Sequence, residues 1–275
     1  MSVPKSSSPP PSPVPTAISA QEPRLTTLLL ESDAQSLDAA CQHPFLRLAG
    51  SGSLPKSTLS RWLSQDRLYA QTYIGFIGAL IARVDLPHGH IPEKDKDKQS
   101  SLRWRIVRLL SSALENILRE LAFFDTTARK YGLSLDAPSR SDGVFAAEPA
   151  TQEYIDLFRS FGADPSRSLL EGLVVLWATE NVYLRAWTHA AMFTNATEEN
   201  RSKDGDSAAD LDSGALRSAF IPNWSSIEFE EFVDEIAEVT DLLAEREGAL
   251  DHGLDVYMAL WARVLDVEAR FWPQV

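Results

Sequence analysis

Apolar residues recur at intervals of three and four along almost the whole chain after residue 23, and strand-like alternation is scarce. This spacing puts apolar side chains on one face of a helix. It predicts about eight helices, three of them long, over 57–83, 101–131 and 164–193. A first helix is expected over 24–41, and the Pro- and Gly-containing segment 43–55 is expected to be a hinge. Helices of this length form bundles, so we predict one all-α domain over residues 24–275.

The first 23 residues are rich in Pro and Ser and are expected to be a disordered tail, because they cannot bury apolar area. They lack the apolar core of a signal peptide and the arginines of a transit peptide, so a cytoplasmic location is expected. No run approaches 18 apolar residues, which predicts no membrane span. The net charge of −13 argues against nucleic acid as a partner. The single cysteine, Cys41, excludes a disulfide within the chain and suits a reducing compartment.

Three acidic residues interrupt apolar helix faces, and an acid on the core side of a bundle is informative. The first is Asp66, in the stretch LSQDRLYAQTY, which lies four residues after Trp62 and three before Tyr69. This spacing places Asp66 on the same face as Tyr69 and Tyr73. The alternative is an exposed acid beside Arg67, which would contribute little to stability.

The second acid, Glu180, lies between Trp177, Tyr183 and Trp187 in a three- and four-residue rhythm. A lone glutamate between two tryptophans on one helix face is uncommon, although it could pair with Arg185 instead. The third acid, Glu268, borders the apolar stripe of the last helix, and spacing alone favours a solvated position for it.

Two other groups are weaker candidates by spacing alone. Tyr154 lies on a short amphipathic helix and could belong to the core or to a pocket. A possible metal site is suggested by Asp85, His88 and His90, which are close in sequence. They lie in a loop, and the sequence shows no further cluster of potential ligands, so we predict no metal site.

Several segments, in this order, resemble the TenA / thiaminase II family. The family's His-Pro-Phe motif resembles His43-Pro44-Phe45 here, and its Gly-Leu-Pro hinge resembles Ser53-Leu54-Pro55. Its helix with Gln-Asp-x-x-Tyr resembles Gln65-Asp66-Arg67-Leu68-Tyr69. ENILRELAFF resembles an I-x-x-E-L helix, TQEYIDLFRSFG a tyrosine-bearing helix, and EARFW the terminal E-x-x-F-W. The resemblance implies a haem-oxygenase-like helical bundle that binds an aminopyrimidine at its centre and cleaves a C–N bond.

The resemblance also implies roles for individual residues. Asp66 would bind the pyrimidine, Tyr69 and Tyr154 would wall it, and Glu268 would move protons. Tyr73 and Trp177 are further aromatic candidates for the wall, because flat rings stack on aromatic side chains. A carboxylate can accept two hydrogen bonds from the edge of a protonated aminopyrimidine.

The better-known branch of that family has a cysteine nucleophile in the helix that here reads EGLVVLWATENVYLRAW, which contains none. Cys41 lies in a different helix. The chain therefore resembles the cysteine-lacking branch, which is described as using a glutamate, and Glu180 is the candidate. That branch is associated with hydrolysis of an aminopyrimidine or its formylamino derivative in thiamin salvage. A water activated by Glu180 or Glu268 would be the nucleophile, and no cofactor is implied.

Three alternatives remain open from the sequence. The bundle could act on a different small molecule, it could bind a ligand without chemistry, or, less in keeping with the sequence, it could oxidise haem. Self-association is expected, because relatives in the family are often oligomers.

Overall fold

A computed structural model describes residues 23–86, 98–139, 142–204 and 210–275. In these ranges the regular structure is helical and contains no strand. The helices, in chain order, are α1 (Leu25–Ser32), α2 (Ala34–Cys41), α3 (Pro44–Gly50), α4 (Lys56–Arg83), α5 (Lys98–Tyr131), α6 (Pro149–Ala163), α7 (Leu169–Asp204), a π-helical turn (Leu216–Phe220), α8 (Ile221–Trp224), α9 (Ile227–Glu247) and α10 (Leu254–Phe271). The all-α prediction is confirmed. The predicted tail lies outside the described residues except for Pro23, as do His88 and His90.

The first part of the bundle has more helices than the spacing predicted. The expected helix over 24–41 is interrupted at Asp33, whose side chain instead caps α2 by accepting a hydrogen bond from the Ser36 backbone N–H. The expected hinge over 43–55 is wrong in its first half, which forms α3. Pro44 is favourable in the first turn of a helix, and the His43 ring caps that turn by accepting from the Phe45 N–H.

The end of α7 also differs from the prediction. The sequence placed the end of this helix near Phe193, because the following segment is polar. The helix continues to Asp204. The extension contains no Gly or Pro before Gly205, so no strong helix breaker interrupts it, and polarity alone did not mark the helix end.

Helix α4 packs between α5 and α6, while α7 packs against α3, α9 and α10. The contact of α3 with α7 depends on Gly50, because a Cβ built there would lie 2.0 Å from the Ala190 carbonyl oxygen. None of the described helices combines the length with the apolar character that a bilayer crossing requires.

Four buried tryptophans, Trp62, Trp187, Trp224 and Trp272, pack against one another. Trp62 stacks on Trp272 with ring centroids 5.6 Å apart, and Trp187 lies 4.4 Å from Trp224. The Trp272 indole donates a hydrogen bond of 2.8 Å to the Ala40 carbonyl. This aromatic cluster holds α4, α7, α8 and the C-terminus together, and it fixes the side of α4 that carries Asp66.

Candidate active site

A cavity of about 350 Å³ opens between α4, α5, α7 and the α8–α9 segment. Its volume is at the lower end of the range for small-molecule sites, roughly 300 to 1,000 Å³. Aromatic side chains form much of its wall: Tyr69, Tyr73, Phe123, Phe124, Tyr183, Trp224, Phe229 and Phe232. Four acidic residues line the same cavity: Asp66, Glu120, Glu180 and the exposed Glu228.

Asp66 is one of the buried polar residues of α4, with 3% of its surface exposed, and it lines the cavity. The Tyr183 hydroxyl donates a hydrogen bond of 3.2 Å to Asp66 Oδ2, and the described residues supply no other donor to this carboxylate. Burial raises the pKa of Asp66 well above its usual range, the charge of Glu120 raises it further, and Tyr183 partly opposes the shift. Asp66 therefore has an oxygen available for a ligand in the cavity.

Glu180 lies on the α7 side of the cavity, next to Tyr73. Burial raises the pKa of Glu180 to about 7, the Tyr73 hydroxyl opposes this shift, and the charge of Glu120 adds to it. A carboxyl group with a pKa near 7 can take up or release a proton at neutral pH.

Glu268 lies outside the lining of the cavity, buried in α10 with 4% of its surface exposed. The Tyr154 hydroxyl donates to Glu268 Oε2, while Oε1 is buried without a described partner. The Tyr154 ring in turn makes an edge contact, with centroids 5.1 Å apart, to Tyr69, which does line the cavity. Burial raises the pKa of Glu268 to about 7, Tyr154 opposes this, and the charge of Glu180 adds to it. The two glutamates are therefore close enough to influence each other.

The predicted site residues thus separate into three groups. Four of them share the wall of the cavity: Asp66, Tyr69, Tyr73 and Glu180. Tyr154 and Glu268 form a buried pair next to it. Trp177 does not contribute to the wall; it is buried in the core, where its ring stacks on Trp261 with centroids 5.2 Å apart. Cys41 is also buried, and burial raises the pKa of its thiol to about 12.

Glu120 is the carboxyl group that the sequence reasoning missed. It accepts hydrogen bonds of 2.6 Å from the Trp224 indole and 3.1 Å from the Asn223 amide. Burial raises the pKa of Glu120, and these two donors oppose the shift. Its only sequence signal was its position as the Glu of the I-x-x-E-L segment, where no role was assigned to it.

The cavity has more acidic than basic side chains in its lining. Among the described residues, no Lys, Arg or His forms an ion pair with Asp66, Glu120, Glu180 or Glu268. Arg119 lines the cavity, but its guanidinium is mostly exposed and interacts with Asn116 and Glu228. In the described part of the chain, no group of three or more His, Cys, Asp or Glu side chains could hold a metal ion.

A helical bundle of this kind has the haem-oxygenase-like fold. The chain belongs to the TENA/THI-4/PQQC family, whose model matches residues 33–275.

Solved structures of TenA homologues share the fold. One from Pyrococcus furiosus has a TM-score of 0.65 and 20% identity, covering 90% of this chain and 98% of that one. A TenA family transcription regulator from Silicibacter sp. TM1040 has a TM-score of 0.65 and 14% identity, covering 90% and 95%. At these identities the likeness establishes the fold alone.

A curated relative, a probable transcription factor of Fusarium pseudograminearum (strain CS3096), is 33% identical over 275 residues. The alignment covers 93% of this chain and 52% of the relative. The chain therefore spans about half the length of the curated relative it matches.

Proposed function

We propose that the protein hydrolyses an aminopyrimidine, either the aminomethyl compound or its formylamino derivative, in thiamin salvage. The observation that carries the proposal is that Asp66 and Glu180 share the wall of one ring-lined cavity, with the Glu268–Tyr154 pair directly behind Tyr69. Membership of the TENA/THI-4/PQQC family supports a thiamin-related activity in general.

Asp66 is suited to hold the edge of the pyrimidine. A ring nitrogen and the neighbouring exocyclic amine present two hydrogen-bonding groups side by side, and a carboxyl group matches both. Burial raises the pKa of Asp66, so this carboxyl group binds a proton more readily than a free aspartate and would share one with the ring nitrogen of a bound pyrimidine. Tyr183 fixes the orientation of the carboxyl group through its hydrogen bond to Oδ2.

Aromatic side chains would hold the flat ring. Tyr69, Tyr73 and Trp224 reach the cavity. A pyrimidine bound among them would bury both faces, and each favourable ring contact contributes about 0.5 to 1.5 kcal/mol beyond area burial. Trp177 has no part in this wall.

Glu180 and Glu268 would divide the proton transfers, Glu180 at the cavity wall and Glu268 through the Tyr154–Tyr69 pair that separates it from the cavity. One carboxylate takes a proton from water, the water oxygen bonds to the carbon, and the C–N bond breaks. The other, protonated, carboxyl group gives its proton to the departing nitrogen. Both groups have a pKa of about 7, so one can be ionised while the other is protonated near neutral pH.

Product detection tests this proposal. The wild-type protein, Glu268→Gln and the exposed control Glu115→Gln would each be incubated with the aminomethyl and formylaminomethyl pyrimidines, and products separated by chromatography and identified by mass. We expect hydrolysis by the wild type and the control, and a loss of roughly 10²- to 10⁴-fold in Glu268→Gln. Equal turnover by Glu268→Gln would remove this residue from the mechanism.

Binding is measured separately from turnover. Asp66→Asn should weaken pyrimidine binding about 10- to 100-fold in calorimetry, because it removes a charge-assisted hydrogen bond. Binding by the wild type without any product would instead indicate a non-catalytic binding protein.

A further inference from the structure

We infer that small molecules enter and leave the cavity between α5 and the start of α9, and that the ion pair of Arg119 with Glu228 is the gate of this passage. The inference goes beyond the proposed function, because it concerns the route into the cavity and not the chemistry inside it. It can therefore be tested without a pyrimidine.

The exposure of the lining residues locates the mouth of the cavity. Of the described residues that line it, three are exposed, namely Arg119, Asn223 and Glu228, and the others are buried or half-buried. The three lie together, because Arg119 contacts Glu228, and Asn223 contacts Glu120, the next residue after Arg119. The described wall therefore reaches solvent between α5 and the α8–α9 segment.

Arg119 bridges this mouth from α5 to α9. Its Nη2 lies 3.4 Å from Glu228 Oε1 on the opposite side, and it also donates to Asn116 Oδ1, one turn earlier on α5. Solvent reaches both members of the ion pair, since their side chains are 62% and 80% exposed. An exposed pair of this length is weak and is screened by salt, so it can open and close readily.

Glu120 holds the neighbouring part of the mouth more firmly. It accepts a hydrogen bond of 2.6 Å from the Trp224 indole and one of 3.1 Å from the Asn223 amide. Two hydrogen bonds to one carboxylate, one of them to a buried indole, are stronger than an exposed ion pair at 3.4 Å. The α8 side of the mouth is therefore fixed to α5, and the contact between Arg119 and Glu228 is the part that yields.

A thiol placed inside the cavity measures passage through the mouth. Ala70 lines the cavity on α4 and is 2% exposed, so Ala70→Cys puts a thiol on the inner wall. Methyl methanethiosulfonate is small and uncharged; its methylthio group is transferred to the thiolate, which forms a mixed disulfide and releases methanesulfinate. Mass spectrometry gives the rate of this labelling. Cys41 is buried, with a thiol pKa of about 12, and its slow reaction is measured in the protein without Ala70→Cys.

Two variants open the gate from opposite sides. In the Ala70→Cys protein, Arg119→Gln and Glu228→Gln should each raise the labelling rate about two- to fivefold, because each removes the ion pair. Loss of a positive charge and loss of a negative charge change the reactivity of a nearby thiol in opposite directions, whereas loss of the gate acts in the same direction in both variants. Raising the ionic strength from about 0.05 to about 0.5 M should accelerate labelling when the ion pair is intact, but not in either glutamine variant.

Arg105→Gln is the matched control. Arg105 also joins α5 to α9, at 2.6 Å from Glu238, but it lies outside the lining of the cavity. Its variant should therefore leave the labelling rate unchanged. If Ala70→Cys does not fold, Ala113→Cys provides the thiol, since Ala113 lines the cavity on α5 and is 1% exposed.

Four results would overturn the inference. Unchanged rates in both glutamine variants would show that the ion pair does not control passage, and rates that change in opposite directions would show an effect of charge on the thiol. Equal acceleration by Arg105→Gln would indicate a general loosening of α5 against α9. Absence of labelling above the Cys41 background in every variant would show that this mouth does not admit a small molecule.

Discussion

Replacing Glu268 by glutamine should make the stability of the protein less dependent on pH. Glu268 is 4% exposed, and burial raises its pKa to about 7 from the usual 4.5. Between pH 4.5 and about pH 7, this carboxyl group is ionised in the unfolded chain but keeps its proton in the folded protein. The favourable contribution of the protonated group is therefore complete below pH 4.5 and is lost as the pH rises through 7.

The magnitude follows from the two pKa values. Between pH 5.5 and 8.5, a range above the sequence pI of about 4.8, ionisation of this group should cost the wild type about 2 kcal/mol. Glutamine has almost the same shape, can still accept the hydrogen bond from the Tyr154 hydroxyl, and does not ionise.

Urea unfolding followed by tryptophan fluorescence measures this effect. The free energy of unfolding would be determined at pH 5.5, 6.5, 7.5 and 8.5 for the wild type, Glu268→Gln and Glu115→Gln. The difference between Glu268→Gln and wild type should grow by about 2 kcal/mol across the series in favour of the variant. Glu115 is exposed on α5, so its variant should follow the wild type.

If the difference in free energy of unfolding between Glu268→Gln and wild type did not change with pH, the reasoning would be refuted. It would mean that Glu268 ionises normally in the folded protein, and that water or a structural change compensates its burial. The assignment of this residue to proton transfer near neutral pH would then lose its physical basis.

Three further predictions concern activity and packing. Glu180→Gln should remove one of two limbs near 7 from the pH profile of kcat/KM, since the pKa of this group is about 7 and Glu268, with a similar pKa, supplies the other limb; an unchanged profile would exclude Glu180 from proton transfer. Trp177→Phe should lower the free energy of unfolding by about 1 to 3 kcal/mol, because this ring lies in the core, and calorimetry should give an unchanged pyrimidine affinity. Weaker pyrimidine binding by the variant would show that Trp177 contributes to the site. Gly50→Ala should destabilise by at least about 1 to 3 kcal/mol in urea unfolding, since its Cβ would clash with the Ala190 carbonyl oxygen, and a neutral effect would contradict the packing of α3 on α7.

The helical periodicity predicted the long helices well, since α4, α5 and α7 each repeat apolar residues over many turns. Local chemistry was harder to predict. A segment with Pro and Gly was expected to be a hinge, but Pro44 stands in the first turn of α3, where proline favours a helix. The same residue type can therefore begin a helix or interrupt one, depending on its position.

The site shows a similar division. Asp66 and Glu180 were identified because each is an acid on an otherwise apolar stripe, and both reach the cavity. Trp177 shares a helix face with Glu180, yet its ring turns to Trp261. Spacing gives the side of a helix on which a residue lies, but it does not give the neighbouring helix that meets this side.

Glu120 could not be found in this way. It lies on a helix with charged residues on several sides, so an acid there is not unusual. What makes it distinctive is its burial against Trp224 and Asn223, more than 100 positions further along the chain. Contacts over this separation arise from the packing of α5 against the α8–α9 segment and leave no local pattern in the sequence.

Two buried aspartates allow a direct test of whether the acids of the cavity serve the fold or the ligand. Asp212, 1% exposed, accepts hydrogen bonds from the backbone N–H groups of Gly214 and Leu216, at 2.9 and 2.7 Å. Asp212→Asn places an amide N–H against one of these donors and should cost about 1 to 3 kcal/mol in urea unfolding at pH 8. Asp66 accepts one hydrogen bond from the Tyr183 hydroxyl, which asparagine can also accept, and burial raises its pKa well above the usual range.

Asp66→Asn should therefore leave stability at pH 8 unchanged or increased, while it weakens pyrimidine binding. Opposite signs for stability and binding are what a carboxyl group kept for a ligand would give, because its burial without a cationic partner is unfavourable until the ligand binds. If Asp66→Asn lost as much stability as Asp212→Asn in the same unfolding experiment, the carboxyl group of Asp66 would be part of the fold. The negative charge of the cavity would then need no ligand to explain it.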